Sequence, residues 1–179
     1  MGPFRRVVTG HNAAGKSVVI AEGAAPTPPE GVPQVLMWST TTAPAAVQTV
    51  ARADREPNVL WIPPGGSRIV YFELPPANPA VPRATLEKIA ADMFGKMEAA
   101  DARVDTSRHP FMHKTPTIDY VVLLKGRITL VLDEGEVDLE PFDLVVQQGT
   151  NHAWVNKAQE PALLLGVLID AAAPSRPPG

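Results

Sequence analysis

Three of the chain's four histidines, His109, His113 and His152, fall in its C-terminal half, among short strand-forming runs. Imidazole is the commonest protein ligand for zinc, iron, nickel and related ions, and histidines near the ends of adjacent strands can converge on one point inside a barrel. Residues of equal parity share a strand face, so His113, Thr115 and Asp119 point the same way if one unbulged strand carries them. Asp119 precedes the apolar run Tyr120-Val121-Val122-Leu123-Leu124. A carboxylate buried there needs a partner: a metal, a pocket histidine, or a structural bond to Thr117 or Arg127. If Asp119 points inward, so do Val121 and Leu123; if His152 does, so does Trp154. The result is a mostly apolar pocket with a few polar groups at one end, the usual make-up of a small-molecule site. Gln147 and Arg68 are candidate substrate anchors. Tyr120 faces the other way, toward the helix or the N-terminal strands. His109, beside Pro110, reads as a loop residue, and His11 as a surface residue of an N-terminal turn.

The elements that must position these groups are mainly strands. Runs at 5–8, 17–21, 35–38, 59–62 and 68–74 predict an N-terminal set, with apolar residues at 70, 72 and 74 alternating as on a strand with one buried face. From 117 onward, strands are expected at 118–124, 127–132, 137–139, 143–146, 152–155 and 163–169. Gly126, Asp133-Glu134-Gly135, Pro141 and Gly149 supply the turns between them. Short strands at near-regular spacing are the signature of a small antiparallel barrel or jelly roll. One helix is expected at 83–101, where Leu86, Ile89, Ala90, Met93, Phe94 and Met97 form a stripe, the two methionines as core packing. The tail 171–179 is Ala, Pro and Ser in character and is expected to be disordered.

Composition narrows the function. The chain has 179 residues, 45% hydrophobic and 20% charged, with 20 prolines and no cysteine, as expected for one globular domain with some additional chain. Cysteine-built metal and redox sites are excluded. A formal charge of −3 with no run of either sign argues against nucleic acid or an anionic membrane as partner. No apolar stretch is long enough to span a bilayer, and the start has no apolar signal core, so a cytoplasmic location is expected. No G-x-S-x-G context surrounds a serine, and Gly65-Gly66-Ser67 lacks the lysine of a phosphate loop.

The stretch 113–156 resembles the two-motif signature of the cupin superfamily. The first motif, G-x5-H-x-H-x3-4-E-x6-G, is matched by His113-Lys114-Thr115, Asp119 in the glutamate place and Gly126. The second, G-x5-P-x-G-x2-H-x3-N, is matched over 142–156 by Gln147 in the proline place, Gly149, His152 and Asn156. Thr115 replaces a histidine, Ser107 and Phe142 replace the opening glycines, and the second motif is one residue short before Gln147.

The resemblance implies an all-β cupin barrel, a double-stranded β-helix or jelly roll, at 103–170. An N-terminal strand arm with the flanking amphipathic helix, 1–102, would pack on it. It also implies a first shell of His113, Asp119 and His152 for a divalent ion (iron, manganese, zinc or nickel), with Thr115 as a poor fourth ligand that Thr115→His would improve. These three residues are then the candidate catalytic and metal-binding set, with Thr115, Val121, Leu123, Gln147, Trp154 and Arg68 as substrate-binding candidates. The function expected is a metal-dependent enzyme acting on a small organic acid or carbonyl compound, of lyase, isomerase or dioxygenase type. A metal-free binding or sensing module is the alternative. A homodimer is expected, because Trp38, Trp61, Tyr71 and Phe72 give the arm more apolar surface than a monomer usually leaves bare, and cupins commonly pair.

Overall fold

Alternation along the strands sorts the side chains onto two facing sheets. The computed structural model describes residues 4–47 and 59–172. In chain order the strands are β1 (Arg5–His11), β2 (Ser17–Ala24), β3 (Gln34–Thr40) and β4 (Ser67–Leu74). After the helix α1 (Arg83–Lys96) come β5 (Thr117–Lys125), β6 (Ile128–Leu132), β7 (Glu136–Leu139), β8 (Leu144–Gln148), β9 (His152–Val155) and β10 (Ala162–Asp170). All pairings are antiparallel: a five-stranded sheet β3-β4-β10-β5-β8, a three-stranded sheet β7-β6-β9 and the separate hairpin β1-β2. Thr117, Asp119, Val121 and Leu123 of β5 are buried, as their common parity requires. Between the sheets Val121, Leu123, Ile128, Leu139, Ala162 and Leu164 form the core. Gly126 makes the tight turn into β6 at φ 82°, where an added Cβ would lie 2.7 Å from the Pro161 carbonyl oxygen, so only glycine fits.

The N-terminal arm contributes two strands to the larger sheet, because β4 pairs with β10 along its whole length and β3 pairs with β4. The run at 59–62 forms no strand. Its backbone and side chains are instead used at the end of the helix: Leu60 N–H bonds to the Met97 carbonyl at 3.0 Å and Trp61 Nε1 to that of Glu98 at 3.0 Å. The helix stops at Lys96, five residues before the expected end, and a 3-10 turn follows at Ala100–Ala102. Glu98 takes the left-handed conformation at φ 54°. Ala99 N–H then reaches the Phe94 carbonyl at 2.8 Å and Glu98 N–H that of Gly95 at 3.0 Å, the two bonds of a Schellman stop. Ala90, Phe94 and Met97 bury against Val32, Leu60, Ala99 and Ala102, whereas Ile89, at the margin of the apolar stripe, is 49% exposed.

The aromatic residues of the arm are half-buried and make contacts within the chain. Phe4 stacks on Tyr71 at 4.5 Å, the Arg6 guanidinium lies 5.8 Å from the Trp38 ring, and Phe72 faces the barrel interior. Tyr120 does not pack under the helix or the arm. It is 42% exposed, opposite Val146 on the edge strand β8. The tail from 173 onward lies outside the described residues. Among the described residues no helix is long and apolar enough to cross a membrane.

Candidate functional site

Closing the open end of the barrel with α1 leaves a cavity of about 320 Å³. β4 supplies Val70, Phe72 and Leu74, β5 supplies Asp119 and Val121, β9 supplies His152 and Trp154, and the helix with its C-cap supplies Met93, Phe94 and Met97. His109, Phe111 and His113 come from the segment leading into β5. His113 and His152 meet because they form an isolated antiparallel bridge that continues the β9 side of the small sheet. Their ring centroids lie 4.3 Å apart.

Backbone groups fix the tautomers. His113 Nδ1 lies 3.0 Å from the Phe111 carbonyl oxygen and His152 Nδ1 lies 2.9 Å from that of Thr150, so both nitrogens carry hydrogen and donate. Each neutral ring keeps Nε2 as an acceptor. At His109 the arrangement is reversed: Nδ1 accepts the Phe111 N–H at 3.3 Å, which leaves the proton on Nε2. Burial favours the neutral rings. It pushes His152 down to about 3, helped by the neighbouring His113, and holds His113 below the usual imidazole range against the opposing bonds to Phe111 and His152. His109 is lowered by burial and by Arg83, with Glu87 opposing. Burial raises the Asp119 carboxyl to about 6, and the Thr117 hydroxyl opposes this. Asp119 Oδ1 is buried with no hydrogen-bond partner.

Of the residues expected from sequence, the structure brings His113, Asp119, His152, Val121 and Trp154 to one cavity. Four others lie outside its lining. Leu123 is fully buried in the intersheet core. The Thr115 hydroxyl is turned to that of Thr117 at 2.8 Å. Gln147 sits opposite Asp119 in the β5–β8 register, but its amide donates to the Thr150 carbonyl at 3.3 Å and to the Thr150 hydroxyl. Arg68 donates to the Val59 carbonyl. His109 lines the cavity despite its loop position, because the turn that bonds Met112 N–H to the His109 carbonyl at 3.0 Å folds the segment back. Phe72 was accessible from the 70, 72, 74 alternation, all three residues of which line the cavity.

The expected first shell is only partly assembled. A ligand imidazole needs its second nitrogen tethered, as both Nδ1 atoms are here. Among the described residues, however, no group of three His, Asp or Glu side chains is placed to hold one ion. Two imidazoles converge, and Asp119 lines the same cavity without completing a three-residue donor cluster with them.

No protein-family model matches the chain. A 48-residue stretch, 26% of the chain and 25% of the relative, is 54% identical to phomopsin biosynthesis cluster protein D of Diaporthe leptostromiformis. A 63-residue stretch, 33% of the chain and 31% of the relative, is 36% identical to the cupin-domain-containing oxidoreductase fogC of Aspergillus ruber. The likeness is to cupin-domain proteins. The matches span about a quarter to a third of the length of these curated relatives. Solved cupins that resemble the chain include a conserved barrel domain protein from Salinispora arenicola, with TM-score 0.37 and 15% identity over 59% of this chain and 64% of that one. Another is an RmlC-like cupin with a double-stranded β-helix from Methanocaldococcus jannaschii, with TM-score 0.37 and 14% identity over 58% of this chain and 70% of that one.

Proposed function

We propose that the cavity is the site of a small-molecule enzyme in which Asp119 moves a proton on an uncharged, largely apolar carbonyl compound. The observation that supports this is Asp119 itself: a buried carboxyl with an unpartnered oxygen, in an apolar cavity, held at about 6. A group titrating near working pH serves as base in one half of a reaction and acid in the other. No lysine or arginine is among the described lining residues, so a carboxylate substrate would meet no cation, and the carbonyl class is favoured over the organic acid. The step that suits these groups is isomerisation. A proton passes from the carbon beside the carbonyl to Asp119, the C–H electron pair enters the enolate, and the proton returns at another atom of the conjugated system, with no co-reactant consumed. The Nε2 acceptors of His113 and His152 would hold a substrate hydroxyl.

A metal-assisted form of this reading draws on the two tethered imidazoles, and a divalent ion would add Lewis acidity at the carbonyl. The proton transfer described does not depend on it. Incubation of the protein with unsaturated ketones in deuterated water, followed by proton NMR, tests the reading. Deuterium should enter beside the carbonyl or at the carbon to which the proton returns with the wild type, and at neither with Asp119→Asn. Saturable binding without exchange would instead favour a binding or sensing module.

A further inference from the structure

The three cavity histidines differ in what they offer a ligand, and one residue, Phe111, sets the difference for two of them. Its N–H points at His109 Nδ1, at 3.3 Å, and its carbonyl accepts from His113 Nδ1, at 3.0 Å. The His109 ring therefore has a donor, Nε2–H, as its remaining polar atom, whereas His113 and His152 have acceptors. Glu87, the carboxylate whose charge acts on His109, is already occupied: Arg83 lies 3.2 Å from one oxygen and Arg103 bonds the other. Gln34, Asn78, Asp119 and Asn156 also reach the lining, and much of the remaining wall is a run of aromatic rings tilted 45° to 80° against one another. Rings follow one another from Phe94 to His113 at 4.9 Å, His113 to His152 at 4.3 Å, His152 to Trp154 at 5.9 Å and Trp154 to Phe72 at 6.3 Å.

We infer that the cavity selects a neutral aromatic compound carrying both a carbonyl and a hydroxyl, with His109 Nε2–H binding the carbonyl oxygen and the His113–His152 pair accepting the hydroxyl hydrogen. This deepens the proposed function and rests on its reading of the cavity as a small-molecule site. His109 becomes the residue that distinguishes such a compound from a simple phenol of the same shape. Burial keeps all three rings neutral, so the donor and acceptors persist at neutral pH. A buried polar group left without its partner is costly, so a ligand lacking either function should bind about tenfold more weakly.

The probes are the three hydroxyacetophenone isomers, acetophenone (no donor), 4-ethylphenol (no acceptor) and ethylbenzene (neither). Binding is followed by tryptophan fluorescence, since Trp154 lines the cavity. The best hydroxyacetophenone should bind about tenfold tighter than acetophenone and than 4-ethylphenol. His109→Phe should bring it to the level of 4-ethylphenol while leaving its advantage over acetophenone, and His109→Gln, whose amide can donate, should restore part of the lost discrimination. Equal binding by all probes, or a His109→Phe variant with both ratios intact, would overturn the assignment while leaving the small-molecule cavity standing. Failure of every probe to bind, ethylbenzene included, would remove the cavity reading and this inference with it.

Discussion

His113 and His152 exchange both backbone hydrogen bonds, each N–H meeting the other's carbonyl at 2.9 Å, and this bridge holds the two imidazoles in contact. Proximity and burial act in the same direction, because a proton on either ring would be desolvated and would face its neighbour. His152 is pushed down to about 3, whereas in the unfolded chain it titrates at about 6.5. Between those values the unfolded state binds protons that the native state refuses. Native stability should therefore be intact above about pH 6.5 and fall as the pH drops toward 3, by up to ~1.4 kcal/mol per pH unit for each ring so held. Urea midpoints at pH 7.5 and 5 should differ accordingly, and His152→Gln should reduce the difference. Measured in the Asp119→Asn background, where the opposing titration of that carboxyl is removed, equal midpoints would reject neutral burial of the pair.

Asp119 works in the opposite sense. Its carboxyl is raised to about 6 from the usual 3.8, so the native state holds the extra proton between these values. Its contribution to stability is fully present below about pH 4 and is lost as the pH rises through 6. Asp119→Asn removes the charged form at little change in shape. At pH 8 it should raise stability by roughly 1–3 kcal/mol, with the gain fading below pH 4. The same variant should lose the proposed proton transfer. A variant that is destabilised at pH 8 would show that the carboxylate has a stabilising partner in the native protein.

The wall of the cavity carried by α1 depends on where that helix ends. Glu98 occupies the left-handed position of the stop at φ 54°, which a side chain adopts at a cost that glycine avoids. Glu98 is exposed, and its backbone does the bonding, the N–H to the Gly95 carbonyl and the carbonyl to Trp61 Nε1, each at 3.0 Å. Glu98→Gly should raise stability by ~0.5–1 kcal/mol after the added freedom of glycine in the unfolded chain is subtracted. Thermal unfolding of the two proteins would show it, and a lowered midpoint would mean that the Glu98 side chain supports the turn.

Parity and turn residues made the barrel legible. Asp119, Val121 and Leu123 do share a buried face, and His152 and Trp154 do line one cavity, because a strand with one buried face leaves alternation no freedom. What parity cannot give is depth. Leu123 faces inward like Asp119, but it lies in the intersheet core and not at the cavity. The run at 59–62 has strand composition, and its apolar residues serve to cover the helix end, a tertiary use that no local pattern encodes. His109 was hidden for a related reason: its position depends on a turn after Pro110, and its tautomer depends on a single backbone N–H. Parity also puts Tyr120 on the outer face, but nothing in the local pattern tells that this face is left open: the strand beside it, β8, is an edge with Val146 and Leu144 also exposed.

The metal expectation can be tested at one residue. A tight site for iron(II), manganese, zinc or nickel needs a third donor beside His113 and His152. Asp119 is not placed to be that donor with the two histidines, and the Thr115 hydroxyl is turned to Thr117 at 2.8 Å, outside the cavity lining. The untagged protein, incubated with each ion and desalted, should therefore retain well below one ion per chain. Thr115→His should not raise that value, because the new ring would start from a backbone position directed at Thr117. Elemental analysis of the two proteins reads this directly. One ion per chain in the wild type, lost in both His113→Ala and Asp119→Ala, would show that Asp119 moves in to complete the centre. Acid release of that ion below about pH 6 would then report imidazole ligation, since protonated imidazole cannot bind a metal.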